Sequence, residues 1–225
     1  GTDNHDRIVE VLEKDGVGGV IMSVGVPTDV AVKLNDLQRH SKYPLLVGAD
    51  LETGAGFRFW GSVHVPTNIS LGGATIFPSL MGLGATRNTD YAYQMGRITA
   101  LEAKALGVHL PFAPVLDVNN NNENPIINIR SFGDDPQMVA SMGVSFVRGL
   151  QENGIAATGK HFPGHGDTEV DSHLALPVIL VNRERMDSVE LVPFKAVIDA
   201  GIQGMMSAHI AVPEITGNYL PSTLS

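Results

Sequence analysis

The residues of this chain that are best suited to chemistry lie in one short segment, residues 160–173. The segment reads KHFPGHGDTEVDSH and contains three histidines. A helix would not tolerate Pro163 and Gly164 in its interior, so the segment reads as the end of a buried strand that runs out into a polar loop. Titratable side chains grouped on such a loop indicate a functional site.

Asp171 and His173 are candidates for acid/base chemistry. They are two residues apart, so their side chains approach each other in an extended loop. A carboxylate bonded to one ring nitrogen of a histidine fixes its tautomer and leaves the other nitrogen to exchange a proton with substrate. The alternative is a surface loop in which Asp171 only caps a turn. The adjoining Lys160–His161 pair favours the acid/base interpretation.

A zinc site is the second interpretation of the same segment. Its candidate ligands are His161, His165, Asp167, Asp171 and His173. Their spacing matches none of the compact zinc motifs, and a proline and two glycines interrupt it. We therefore predict that the site holds no metal and that the protein uses no cofactor.

Apolar runs and helical patterns alternate along the chain. Nearly unbroken apolar runs are typical of parallel strands covered on both faces, and they occur at residues 18–25, 43–52, 109–118, 155–162 and 202–210. Helical patterns lie at residues 3–15, 28–41, 88–106, 135–153 and 183–200. This alternation predicts an α/β fold with a parallel sheet.

Polar residues at the ends of the predicted strands distinguish between two parallel-sheet folds. Side chains capable of chemistry lie at the C-terminal ends of different apolar runs: Asp50, Glu52, Asp117, Lys160, His161 and His209. In a (β/α)₈ barrel these ends converge on one mouth, whereas an open sheet spreads them along an edge. We predict a TIM-type (β/α)₈ barrel that is incomplete, because only five strands are visible. We expect residues 1–225 to form a single domain that is truncated at both ends.

Three of these polar residues have more than one interpretation. Asp50 ends an apolar strand and needs partners or solvent, and Arg58 and Arg130 are candidate partners. Asp117 belongs either to the site or to the framework of the loop that follows it. His209 lies either at the barrel mouth or in the core as a hydrogen-bonded histidine.

Composition and charge exclude several classes of protein. The chain is 43% hydrophobic and 17% charged, as expected of a folded globular protein. Its formal net charge of -9 argues against a nucleic-acid partner. There is no cysteine, so disulfides and thiolate chemistry are excluded. No apolar run reaches the roughly 18 residues of a membrane span. The compartment stays open between bacterial cytoplasm and periplasm.

Several motifs together resemble glycoside hydrolase family 3, in particular its β-N-acetylglucosaminidase branch. The matching motifs are GVGGVI at 16–21, LLVGADLE at 45–52 with Arg58, FAPVLDV at 112–118, RSFGDDP at 130–136, KHFPGHGDT at 160–168, DSH at 171–173 and SAHI at 207–210. They cover nearly the whole chain, and the segment 160–173 is the most specific part.

The resemblance implies a (β/α)₈ barrel that removes terminal β-linked N-acetylglucosamine, with peptidoglycan-derived glycans as the expected substrates. Cleavage retains the anomeric configuration through a covalent glycosyl-enzyme intermediate. By the same resemblance His173 is the acid/base and Asp171 orients it, where most glycosidases use two carboxylates. The residues implied to hold the sugar are Asp50, Arg58, Arg130, Lys160 and His161, with Asp117 and His209 as further candidates.

The resemblance also implies a nucleophile, an aspartate in a Ser-Asp motif. No aspartate follows Asp199, so we expect this residue downstream of Ser225 and expect these 225 residues alone to be inactive. Two alternatives remain open. Phosphate in place of water would make the protein a phosphorylase, and a chain without a nucleophile would be a non-catalytic sugar-binding module. The expected partner is a carbohydrate in each case, and neither a nucleic acid nor a membrane span is expected.

Overall fold

The computed structural model describes residues 5–63, 69–70, 72–170 and 175–225. The strands are β1 (Gly19–Ile21), β2 (Leu46–Ala49), β3 (Ser62–Val63), β4 (Ile69–Ser70), β5 (Leu110–Pro111), β6 (Thr158–Phe162) and β7 (Gly204–Ser207). The helices are α1 (His5–Asp15), α2 (Pro27–His40), α3 (Leu80–Ala85), α4 (Thr89–Leu106), α5 (Pro136–Gln151), α6 (Arg183–Ser188), α7 (Leu191–Asp199) and α8 (Pro213–Thr216). Short 3₁₀ turns lie at Ala55–Phe57 and Asn128–Arg130. The predicted dyad, Asp171 and His173, lies outside the described residues.

Five strands form the parallel sheet that carries the site. β1 pairs with β2, and β2 pairs with β5. The chain after β5 continues alongside β6 through a parallel bridge between Val115 and Lys160, and β6 pairs with β7. The spatial order β1-β2-β5-β6-β7 therefore follows the chain order of the five predicted strands. Strand–helix alternation with this parallel order confirms the prediction of an α/β fold of the barrel type that is incomplete in this chain.

Helices α4 and α5 each begin within one residue of the predicted start. The side chain of Asn88 accepts from the backbone N–H of Asp90 at the start of α4, and Asp135 does the same for Gln137 at the start of α5. Gly107 ends α4 in the left-handed conformation with φ of 82°. These caps satisfy backbone groups that the helix itself leaves unpaired.

The predicted helix at 183–200 consists of two helices, α6 and α7. Val189 separates them with φ of −128° and ψ of −74°, which is not a helical conformation. Pro193 lies in the first turn of α7, where its missing N–H removes no intrahelical bond. The β3–β4 hairpin and α3 were not predicted, because their short segments lack a clear apolar period.

The main core lies between the sheet and helices α4, α5 and α7. Its fully buried side chains include Val115, Leu116, Met95, Phe146 and Phe194. Burial of such aliphatic and aromatic side chains is the main source of stability in a fold of this kind. None of the helices among the described residues has the length and hydropathy needed to cross a membrane.

Candidate active site

The C-terminal ends of β2, β6 and β7 open into a cavity of about 580 Å³. All five residues predicted to hold a sugar line it, namely Asp50, Arg58, Arg130, Lys160 and His161, and so does His209. The other lining residues, which had no predicted sugar-binding role, include Glu52, His165 and Met206. Side chains from strands far apart in the sequence therefore share one cavity, as expected for the mouth of a barrel. Polar groups converging in a concave site of this size are typical of a ligand-binding pocket.

Asp50 sits between two cations. Lys160 donates from Nζ to Oδ1 over 2.8 Å, and Arg58 donates from Nη2 to Oδ2 over 2.7 Å. Burial alone would raise the pKa of Asp50, but the charges of Lys160 and Arg58 outweigh it and hold the pKa below its ordinary value. The side chain is about a third exposed, so an ionised carboxylate faces the cavity.

Glu52 forms a second and more deeply buried ion cluster. Its side chain is only 5% exposed; Lys160 Nζ lies 2.7 Å from Oε1, and Arg130 donates through Nε and Nη2 over 2.9 and 2.7 Å. Burial opposes its charge, but the bonds from Arg130 and the charge of Lys160 prevail and lower its pKa to about 2. Arg130, predicted as a partner of Asp50, is therefore a partner of Glu52. The signal that identifies Glu52 is its position two residues after Asp50, on the same side of an extended chain.

His161 has a defined tautomer. Its Nε2 lies 3.2 Å from Nη2 of Arg130, and a guanidinium nitrogen only donates. Nε2 therefore accepts, and the ring proton sits on Nδ1, which donates to Oδ2 of Asp117 over 2.7 Å. The arrangement presents a neutral imidazole at the cavity wall, fixed on both sides.

Asp117 lies behind His161 and is not among the residues that line the cavity. Its side chain is fully buried, and Oδ1 accepts from the backbone N–H groups of His165 and His161 over 2.7 and 3.3 Å. Burial would raise its pKa, but its interactions with His161 and the N–H of His165 keep the pKa low. Asp117 is thus placed to orient His161 and the loop after β6, and does not bond the side chains of the neighbouring asparagines.

His165 is part of the framework of that loop. Its Nδ1 donates to the hydroxyl of Thr168 over 2.7 Å, because the Thr168 proton is already directed to the carbonyl of His165. Burial lowers the pKa of His165 and so favours the neutral ring. The rings of His161 and His165 pack edge to face with centroids 5.9 Å apart.

The zinc interpretation concerns His161, His165 and Asp167 among the described residues, since its other two ligands fall outside them. Within the part of the chain that the structure describes, no three histidines or carboxylates are arranged to hold a metal ion. His161 and His165 each use Nδ1 in a hydrogen bond within the protein. His209 is exposed at the cavity, with Nδ1 2.9 Å from the hydroxyl of Thr223.

The charges around the cavity balance. Three carboxylates, Asp50, Glu52 and Asp117, stand against three cations, Arg58, Arg130 and Lys160, so the formal sum is zero with neutral histidines. Every one of these cations contacts a carboxylate among the described residues. The cluster offers fixed donors and acceptors to an uncharged polar ligand.

Residues 2–225 match the sequence profile of the Glycosyl hydrolase family 3 N terminal domain. The chain belongs to glycoside hydrolase family 3. Its resemblance to this family, inferred from the motifs between residues 16 and 210, is confirmed.

Three similar proteins illustrate the relationship. A β-N-acetylglucosaminidase/β-glucosidase of Cellulomonas fimi is 38% identical over 197 residues, which are 88% of this chain and 33% of that protein. The structure of a β-N-acetylglucosaminidase from Paenibacillus sp. str. FPU-7 superposes with a TM-score of 0.87 at 38% identity, covering 100% of this chain and 42% of the other. A β-glucoside phosphorylase, BglX, superposes with a TM-score of 0.85 at 28% identity, covering 97% and 39%. The chain thus spans between a third and about two fifths of these relatives.

Proposed function

We propose that this chain is the barrel domain of a retaining, exo-acting glycoside hydrolase that removes terminal β-linked N-acetylglucosamine. The observation that carries the proposal is the cavity in which Asp50, Arg58, Arg130, Lys160 and His161 meet. Similarity to the β-N-acetylglucosaminidase of Paenibacillus supports the choice of sugar, and the Cellulomonas fimi relative is named for both N-acetylglucosaminide and glucoside hydrolysis. Glycans derived from peptidoglycan are the natural substrates we propose.

Sugar binding follows from the balanced charge of the cavity. Hydroxyl groups both donate and accept, so a sugar can accept from Arg58 and donate to the exposed part of Asp50. Because the two are already paired at 2.7 Å, the ligand finds them oriented and does not have to assemble them. Arg130 and His161, fixed by Glu52 and Asp117, offer a second polar wall.

We assign proton transfer to His173, oriented by Asp171. The protonated imidazole gives its proton to the glycosidic oxygen as that bond breaks, and the neutral ring then accepts a proton from the incoming water. The strand β6 and the loop that follows it lead to both residues, and the loop is described as far as Val170. A histidine suits this exchange because its ordinary pKa of about 6.5 lies near neutral pH.

The covalent step needs a carboxylate nucleophile, and we propose that it lies outside residues 1–225. It attacks the anomeric carbon as the leaving group departs with the proton from His173, and water later displaces it. Labelling the full-length protein with a fluorinated N-acetylglucosaminide that traps the intermediate identifies the residue. A labelled peptide within residues 1–225 would overturn this assignment.

The test measures hydrolysis of aryl β-N-acetylglucosaminides by the full-length protein and compares it with hydrolysis of the matching aryl β-glucosides. We expect preferential hydrolysis of the N-acetylated substrate. His173→Ala removes the acid, so it should slow substrates with poor leaving groups far more than those with good ones. Glu169→Gln, an exposed change in the same loop, serves as the control. Equal losses on both substrates would disprove the acid/base role of His173.

Phosphorolysis is the second candidate, because BglX, a β-glucoside phosphorylase, has the same fold. A phosphate acceptor would need cations, and each arginine and lysine of the described cavity already contacts a carboxylate. This favours hydrolysis. The products formed in phosphate buffer decide between the two reactions: a sugar 1-phosphate indicates phosphorolysis, and free sugar indicates hydrolysis.

A further inference from the structure

The side chain of Asn124 makes five hydrogen-bond contacts with other parts of the described chain. It lies in the long loop between β5 and α5 and is only 3% exposed. Neither its burial nor its bonds are apparent from the sequence, where it follows a run of asparagines. A buried amide of this kind is retained only if its donors and acceptor are all satisfied.

The nitrogen of Asn124 holds the loop that follows β6. Nδ2 donates to the carbonyls of His165 and Gly166 over 2.8 and 2.9 Å, with a longer contact of 3.3 Å to the hydroxyl of Thr168. This loop lies tightly against the chain segment that follows β5. A Cβ atom on Gly166 would come within 1.7 Å of the carbonyl oxygen of Val118.

The oxygen of Asn124 holds a different part of the site. Oδ1 accepts from the backbone N–H groups of Ile126 and Ile127 over 2.9 and 2.8 Å, which closes a turn. The carbonyl of Ile126 in turn accepts from Nη1 of Arg130 over 3.0 Å. Arg130 contacts Glu52 and His161 at the cavity.

The side-chain amide of Asn124 therefore joins two elements of the site: its nitrogen bonds the loop after β6, and its oxygen bonds the turn that supports Arg130. We infer that Asn124 is a positioning residue that fixes the base of the acid/base loop relative to the cluster around Arg130. The inference rests on the proposed function, in which His173 transfers the proton. Asp171 is three residues beyond the last bonded residue, Thr168, so the position of the loop base sets where the dyad can reach.

The chemistry of the amide suggests two informative substitutions. Asn124→Asp keeps the oxygen that accepts from the turn at Ile126. Its second oxygen replaces the donating nitrogen and faces the carbonyls of His165 and Gly166, so the bonds to the loop are lost while the turn is kept. Asn124→Ala removes both sets of bonds. Asn121→Ala is the matched control, because among the described residues the Asn121 side chain in the same loop bonds only the backbone N–H of Glu123. The carbonyl of Asn121 accepts from the backbone N–H of Asn124 over 3.1 Å, and this bond does not depend on the Asn121 side chain.

The experiment uses the full-length protein and two β-N-acetylglucosaminides, one with a good and one with a poor leaving group. For Asn124→Asp we expect kcat/KM to fall roughly 10- to 100-fold more with the poor leaving group than with the good one. Its KM should stay close to that of the unchanged protein. Asn124→Ala should in addition raise KM, since the turn that supports Arg130 is lost. Equal losses on both substrates, or losses matched by Asn121→Ala, would overturn the inference.

Hydrogen exchange of the peptide 163–170 provides a readout that does not depend on activity. We expect faster exchange in both Asn124 variants and no change in Asn121→Ala. Unchanged exchange in the Asn124 variants would disprove the structural link. Failure of the unchanged protein to hydrolyse either substrate would overturn the proposed function and with it the catalytic part of the inference, while the exchange result still decides the link between Asn124 and the loop.

Discussion

Glu52 and Lys160 form an ion pair of 2.7 Å in which both side chains are almost completely buried, at 5% and 2% exposure. Lys160 also bonds Asp50, so its removal leaves the buried Glu52 and the partly exposed Asp50 with one cation each. Breaking a buried pair by removing one partner typically costs 3–5 kcal/mol or so. Because Arg58 and Arg130 remain, we expect Lys160→Met to lower the free energy of unfolding by about 3 kcal/mol.

Chemical denaturation of the full-length protein measures this loss, and Lys195→Met is the control. Lys195 pairs with Asp187 over the same 2.7 Å, but its side chain is 55% exposed. An exposed pair is worth about 0–1 kcal/mol, so the control should change little. Similar losses in both variants would show that burial does not govern the strength of these pairs.

Glu52 should make the protein sensitive to acid. Its pKa is about 2 in the folded protein and 4.5 ordinarily, so its contribution is fully present above pH 4.5 and is lost as the pH falls towards 2. At about 1.4 kcal/mol per pKa unit, the contribution is about 3 kcal/mol. Glu52→Gln should therefore flatten the decline of the unfolding free energy between these pH values. An unchanged slope in urea titrations would contradict the prediction.

Glu190 should have the opposite pH dependence. Burial raises its pKa above 4.5, and among the described residues its Oε2 has no hydrogen-bond partner. A raised pKa means that its contribution is present below its ordinary pKa and is lost as the pH rises through its folded pKa. The free energy of unfolding of the Glu190→Gln variant should rise relative to that of the unchanged protein as the pH increases from 4 to 8. The expected difference is about 1 kcal/mol. Exposed Glu184→Gln should show no such trend in the same thermal scans.

Asp117→Asn should disturb His161 without removing it. The amide can keep accepting from the N–H of His165, but its nitrogen then faces Nδ1 of His161. The ring proton would move to Nε2, opposite the donating Nη2 of Arg130. We expect kcat/KM to fall roughly tenfold or more, equally for good and poor leaving groups, because the proposed function places His161 in sugar binding and not in proton transfer. Nitrogen NMR of His161 should report the other tautomer, and an unchanged tautomer with full activity would disprove the role.

Much of the fold could be predicted from the sequence. The five apolar runs contain the five parallel strands in the predicted order, because a strand buried on both faces leaves an unbroken apolar signal. Polar residues at the C-terminal ends of those runs, such as Asp50 and Lys160, meet because the carboxyl ends of parallel strands share one end of a barrel. Local sequence suffices for both inferences.

The pairings within the site could not be predicted in the same way. Arg130 binds Glu52 across 78 residues, and nothing local distinguishes Glu52 from Asp50 as its partner. Asn124 resembles an ordinary loop residue, because its partners at 165–168 are brought to it only by the pairing of the strands. The division between α6 and α7 depends on one backbone conformation at Val189, which no periodic pattern reports.

The separation of the paired residues along the chain has a consequence for folding. Asp50 and Lys160 are 110 residues apart, and Glu52 and Arg130 are 78 apart, so the cavity does not exist until distant segments have come together. Contacts of this kind form slowly because long loops must close first. A sugar that fits the cavity binds only chains in which the cavity has folded. By mass action, its binding stabilises these folded chains. Under the proposed function, a sugar substrate should therefore favour the native state of this protein.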